Sequence, residues 1–197
     1  MKNILLSSAI ITTLSLFTVT QALAETAFGL TLGQTLPDGA EPSSSDGRYN
    51  LTPPKTHSLF QGYRIVYHQD YGICSIFAFG SSNKNDKYGT DGKSQYNKIK
   101  KSLNKKYENQ EILKESKTFE YLKSNALWEE ESQFAMSLQE GDRAHSTYWT
   151  FENGDLKEIG LGISSIRYEE TYISLYYDAS FIDECEDSIS SADEDAL

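Results

Sequence analysis

Residues Ile73 to Gly80 are apolar at nearly every position, and this run constrains the fold more than any other feature of the chain. A strand with one wet face alternates polar and apolar residues. A strand without alternation must be covered on both faces, which places it in the middle of a sheet. The residues before it name its first partner. Phe60 to His68 carries Tyr63, Ile65 and Tyr67 on one face, and Gln69-Asp70-Tyr71-Gly72 supplies a turn, so the two runs form a β-hairpin.

Other segments supply the layers around that hairpin. Phe28 to Gly33 alternates and is expected to be a first strand. Residues 37–57, with Pro37-Asp38-Gly39, Pro42 to Gly47 and Pro53-Pro54, are expected to be loop. After a polar stretch, Thr90 or Asp91 is placed to cap a helix in which Tyr96, Ile99, Leu103 and Tyr107 recur at spacings of three and four. The lysines of this helix lie off that stripe and crowd toward its C-terminal end, where the helix dipole favours cations. Residues 108–123 show no period. Ser132 is a fair N-cap for a helix over 133–140 ending at Gly141, although Phe134, Met136 and Leu138 also alternate as a strand would.

The last third reads as β. Ala144 to Glu152 and Leu156 to Ser164 flank Asn153-Gly154, a strong hairpin signal. A two-residue turn would set Trp149 opposite Glu158. A three-residue loop would set Trp149 opposite Ile159 and Thr147 opposite Leu161, bringing apolar side chains together, and is favoured; a slip of one residue swaps the faces. Tyr172 to Tyr177 is a final strand with Ile173, Leu175 and Tyr177 on one face. Tight turns between strands imply antiparallel pairing. The fold class is therefore α+β: a mainly antiparallel sheet packed against one or two helices in a single domain.

The two ends differ from this body. Lys2, an uncharged apolar stretch from Ile4 to Val19 and Ala22-Leu23-Ala24 are the three parts of a secretory signal, with cleavage expected after residue 24. The apolar run is too short for a membrane span, and no cysteine follows it to carry lipid. The domain then covers 25–182. Residues 183–197, acidic and rich in serine, are expected to be a disordered tail. Cys74 and Cys185 make an even count in an exported chain and are expected to form one disulfide, with Cys74 on the face of Ile76 and Ala78. The Gly29-to-Gly33 opening, the Lys105-Lys106-Tyr107 helix end and the tyrosine-rich strand before a cysteine resemble small exported proteins of Gram-negative bacteria, a likeness that implies a periplasmic or secreted location and no activity.

The formal charge is −11, unevenly spread. Residues 84–117 hold 10 basic and 5 acidic residues, whereas residues 118–197 hold 4 and 19, net −15. Such a surface repels phosphate backbones and anionic lipid, which argues against nucleic acid and membranes and toward a basic protein partner. The chemistry-bearing residues form no motif. His57, His68 and His145 have no short metal spacing, and Gly160 to Ser164 lacks the serine of a nucleophile elbow. Asn83 to Gly92 resembles a calcium loop in composition only, with its glycine misplaced and no closing glutamate. Neither cofactor nor metal is expected, and no residue is assigned to catalysis. The reading is of a non-enzymatic exported binding protein, inhibitor- or immunity-like, contacting another envelope or extracellular protein. Glu169, Glu170, Tyr172 and Tyr176 are its candidate partner-binding residues, because tyrosine offers large contact area at low entropic cost. The alternative is a hydrolase of envelope polymers using scattered acidic residues.

Overall fold

The computed structural model describes residues 25–124 and 126–194; the expected signal segment, 1–24, and the last residues of the expected tail, 195–197, lie outside the described residues. The order is β1 (Thr26–Ala27), β2 (Leu30–Thr31), β3 (Glu41–Pro42), β4 (Arg48–Asn50), β5 (Phe60–His68), β6 (Gly72–Gly80), α1 (Thr90–Tyr107), β7 (Leu113–Leu122), α2 (Phe134–Gln139), β8 (Arg143–Phe151), β9 (Leu156–Arg167), β10 (Glu170–Ala179) and α3 (Ile182–Glu194). A 3-10 turn, Glu131–Gln133, leads into α2. β1 and β2 pair with each other, and the remaining strands form one antiparallel sheet in the order β3-β4-β5-β6-β10-β9-β8-β7. β6 sits inside this sheet between β5 and β10, as its unbroken apolar run requires.

The main core lies between one sheet face and α1. Tyr96, Ile99, Leu103 and Tyr107 of α1 are buried against a layer that includes Ile76, Ala78, Ile159, Leu161, Ile163, Ile173 and Leu175. The buried polar atoms of this layer are paired: Tyr96 Oη with Thr147 Oγ1, Trp149 Nε1 donating to Asn104 Oδ1 at 3.0 Å, and Tyr107 Oη donating to Glu25 Oε1 at 2.6 Å. The β8–β9 hairpin takes the three-residue loop, with Trp149 opposite Ile159 and Thr147 opposite Leu161 and with Asn153 at φ 61°. α2 covers 134–139 of the expected 133–140, but Ser132 does not cap it: Ser132 lies in the 3-10 turn and its hydroxyl donates to Glu130 at 3.2 Å, leaving Gln133 at the N-cap.

Five further expectations are corrected. Phe28 to Gly33 is not one strand: Phe28 (φ 57°) and Gly29 (φ 78°) form a two-residue turn between β1 and β2. The loop 37–57 contains β3 and β4, because β5 offers an edge that Arg48–Asn50 can pair. Neither Thr90 nor Asp91 caps α1. Gly89, left-handed at φ 69°, precedes the helix, and the Asp86 carboxylate accepts hydrogen bonds from the amides of Asp91 (3.1 Å) and Gly92 (3.0 Å). Residues 183–194 are not a disordered tail. Ile182, Cys185 and Ile189 recur at helical spacing and pack on the sheet, and Asp183 and Glu184 in the first turn favour the helix dipole.

The fifth correction concerns Cys74. The β5–β6 register shifts between Val66 (opposite Ser75) and Tyr67 (opposite Ile73), so Cys74 is the extra residue of a β-bulge. The bulge breaks the alternation. Ile73 stays in the main core, while Cys74 joins Val66, Ile182 and Cys185 in a second cluster, away from Ile76 and Ala78. There it forms the expected disulfide with Cys185, with Cα atoms 6.4 Å apart across a separation of 111 residues. α3 thus packs against β5 and β6 on the sheet face opposite α1.

Candidate binding face

Strand register builds the face that α1 does not cover. Three transverse rows of side chains cross it. The first runs Lys117, Tyr148, Gly160, Tyr176, Phe77, Arg64; the second Phe119, Ser146, Gly162, Ser174, Phe79, Gly62; the third Glu115, Thr150, Glu158, Asp178, Ser75, Val66. α3 covers only the β5–β6 end of this face. The rest presents aromatic rings: Phe77 and Phe79 stack at 6.2 Å, Tyr176 lies 5.9 Å from Phe77, and Phe119 stacks on Tyr121 at 6.2 Å.

β9 forms a trough through the rings because Gly160 and Gly162 put no side chain on this face. A Cβ at Gly160 would fall inside the ring of Tyr176, so that ring can lie across the strand only over a glycine. β8 and β9 stop pairing at Ser146 and Gly162, although both strands continue. At this divergence a pocket of about 480 Å³ opens, lined by Ser146, Tyr148, Tyr172, Ser174, Tyr176 and the edge of α2, among others. The Oγ of Ser146 is buried and has no hydrogen-bond partner among the described residues. Arg143 at the rim is held by the Glu129 carbonyl (2.9 Å) and by Glu131 (3.3 Å).

The third row is polar from Glu115 to Ser75 and apolar only at Val66. Ser75 donates to Asp178 Oδ1 at 2.5 Å, and Tyr176 donates to Glu158 Oε1 at 2.5 Å. Glu158 and Asp178 stand directly opposite each other on β9 and β10. Burial pushes the Asp178 carboxyl up to about 6, with Glu158 and Glu186 adding to the rise and the Ser75 hydrogen bond and Lys157 opposing it. Burial also raises the Tyr176 phenol, reinforced by its bond to Glu158, so it stays a donor across the physiological range.

The expected partner-binding residues are divided by the fold. Tyr172 and Tyr176 both project onto the open face and line the pocket. Glu170 is turned toward Ser82, whose hydroxyl donates to it at 2.9 Å, and Glu169 lies exposed in the β9–β10 turn. Tyr148, Glu158, Asp178 and Ser75 were missed by sequence reasoning, since they come together only through register. The alternating Gly160 and Gly162 were the available signal: two glycines on one face of a strand mark a close approach.

The other sequence candidates have structural roles. Asp86 of the calcium-like loop also accepts a hydrogen bond from Thr171 and is thereby committed to the start of α1. His57 and His68 accept backbone amides in their own turns. His145 lies 3.5 Å from Glu120 with its ring against Tyr96, and burial lowers its basicity. No three metal-ligating side chains come together among the described residues, and no helix there is long and apolar enough to cross a membrane. Comparison with protein-family models, with curated proteins and with solved structures finds no match.

Proposed function

We propose that this chain is an exported, non-enzymatic binding protein, inhibitor- or immunity-like, that captures a basic protein on the open face of its sheet. The observation that carries this reading is the row of aromatic rings from β6 to β7, which among the described residues α3 borders and meets only at its Phe77 end. That helix contributes Asp183, Glu184, Glu186 and Asp187 and has no basic residue. Aromatic side chains dominate the energetic centres of protein interfaces, and a flanking charge of one sign steers the oppositely charged partner. The Cys74–Cys185 disulfide and the signal-like opening of the chain support a periplasmic or secreted location in a Gram-negative bacterium.

Crosslinking pull-down from envelope extract at low and high salt tests this. A partner should be captured whose association slows as salt screens charge over about 10 Å at 0.1 M. Tyr176→Ala and Tyr148→Ala should each weaken capture about tenfold or more, the loss expected of an aromatic anchor. Capture indifferent to both substitutions would place the interface elsewhere.

One observation favours hydrolysis as a second reading: Glu158 faces Asp178 on adjacent strands, and the Asp178 carboxyl is pushed up to about 6, the pairing of an acid with a carboxylate that glycoside cleavage uses. Turnover of an envelope polymer by pure protein, lost in Asp178→Asn, would establish that reading over the first.

A further inference from the structure

β7 is an end strand of the sheet, and among the described residues nothing pairs with its outer side. The opposite end is closed differently: β3 is two residues long and includes Pro42, which has no amide to donate. β7 is ten residues long and exposed at every position after Leu113. Phe119 and Tyr121 on it are 45% and 43% exposed, although their rings stack on each other and not on the core. A long edge carrying uncovered aromatic rings is a template for another strand.

The side chains select which strand. Past the bulge at Lys114, the residues Glu115, Lys117, Phe119 and Tyr121 share the open face, opposite Thr150, Tyr148, Ser146 and Ala144. A second β7 laid antiparallel about a two-fold axis through Phe119 would set Phe119 against its own copy and Lys117 against Tyr121. It would also set Glu115 against Lys123, which lies just past the strand and already holds Asp142 at 3.4 Å. On the other face Thr118 meets Glu120 and Ser116 meets Leu122. No like charges stand opposite each other, an aromatic pair forms at the axis, and a cation faces a ring on either side of it. Moving the axis to Lys117 would oppose two ammonium groups. Moving it to Ser116 would run the pairing into the bulge at Lys114 two residues away. The charges that deter an arbitrary strand from this edge are therefore matched by a second copy.

We propose that this chain forms a two-fold dimer through β7, joining two sheets edge to edge with their open faces side by side. The inference stands independently of what that face binds. Sedimentation equilibrium of the purified full chain over about 5–200 µM should show the average mass climbing toward twice the monomer's, with a dissociation constant in the micromolar range appropriate to a small interface. Phe119→Asp, which puts two carboxylates on the axis, should remain monomeric at every concentration with the far-UV spectrum and thermal midpoint of the parent. Phe119→Cys should give a dimer under mild oxidation that reduction releases. A parent protein that stays monomeric at the highest concentration, or a Phe119→Asp variant that still dimerises, overturns the proposal. A monomeric parent that instead pairs with an unrelated extended peptide would assign the edge to another occupant and overturn it equally.

Discussion

Replacing Asp178 by asparagine should make the protein more stable at neutral pH and leave it unchanged in acid. The carboxyl lies between Ser75 and Glu158 beneath the acidic face of α3, and burial is the largest reason that it is pushed up from 3.8 to about 6. A carboxyl that titrates higher in the folded chain holds its proton more tightly there than in the unfolded chain. Between about pH 4 and 6 the native state binds more protons, so stability falls as pH rises through that window. The whole shift of about two units corresponds to about 3 kcal/mol at 1.36 kcal/mol per unit, and partial access to water reduces it to about 1.5. Asparagine keeps an acceptor for Ser75 but gives up the charge-assisted part of that bond, leaving a net gain of about 1 kcal/mol. In a domain of this size that is a rise of about 2–4 °C in the thermal midpoint. Urea unfolding of both proteins at pH 7.5 and pH 3, with the disulfide intact, measures it. The gain should be present at pH 7.5 and absent at pH 3, below the unfolded value of 3.8. A variant destabilised equally at both values would show that the ionised carboxylate is not disfavoured in the fold, and the argument from burial would fail.

Three further perturbations test other parts of the structure. Gly160→Val should push the Tyr176 ring off β9 and away from Glu158, costing about 1–3 kcal/mol by overpacking and reducing partner capture, as thermal unfolding and the pull-down would record. Cys185→Ser removes a crosslink between residues 111 apart and should cost up to about 4–5 kcal/mol, with amide exchange in α3 accelerating first and the α1 core remaining protected; uniform loss of protection would show that α3 is integral to the main core. Asp86→Ala should cost about 1–2 kcal/mol, because the amides of Asp91 and Gly92 and the Thr171 hydroxyl all lose their acceptor, and urea unfolding checks it.

Periodicity and turn chemistry were enough for the parts of this protein that fold by local rules. The α1 stripe, the β5–β6 hairpin, the register of β8 with β9 and the partnership of the cysteines follow from patterns of two and of three and four, and from the need to keep Trp149 on the apolar side. Where a local rule failed, a distant partner had decided the conformation. Nothing in residues 113–122 carries a strand period, yet β8 needs a neighbour, and backbone pairing alone extends them. The acidic end of the chain reads as unstructured until Ile182, Cys185 and Ile189 are given a surface to pack on. Cys74 reads as a core residue until the bulge, one inserted residue, turns it to the other face, where it meets that helix. The candidate binding face is the extreme case, because Tyr148, Gly160, Tyr176 and Phe77 lie far apart in the chain and become a single row only through the registers of four strands. A side chain's own segment determines whether it points up or down; which side chains stand beside it is determined by hydrogen bonds between strands, and those exist only in the assembled sheet.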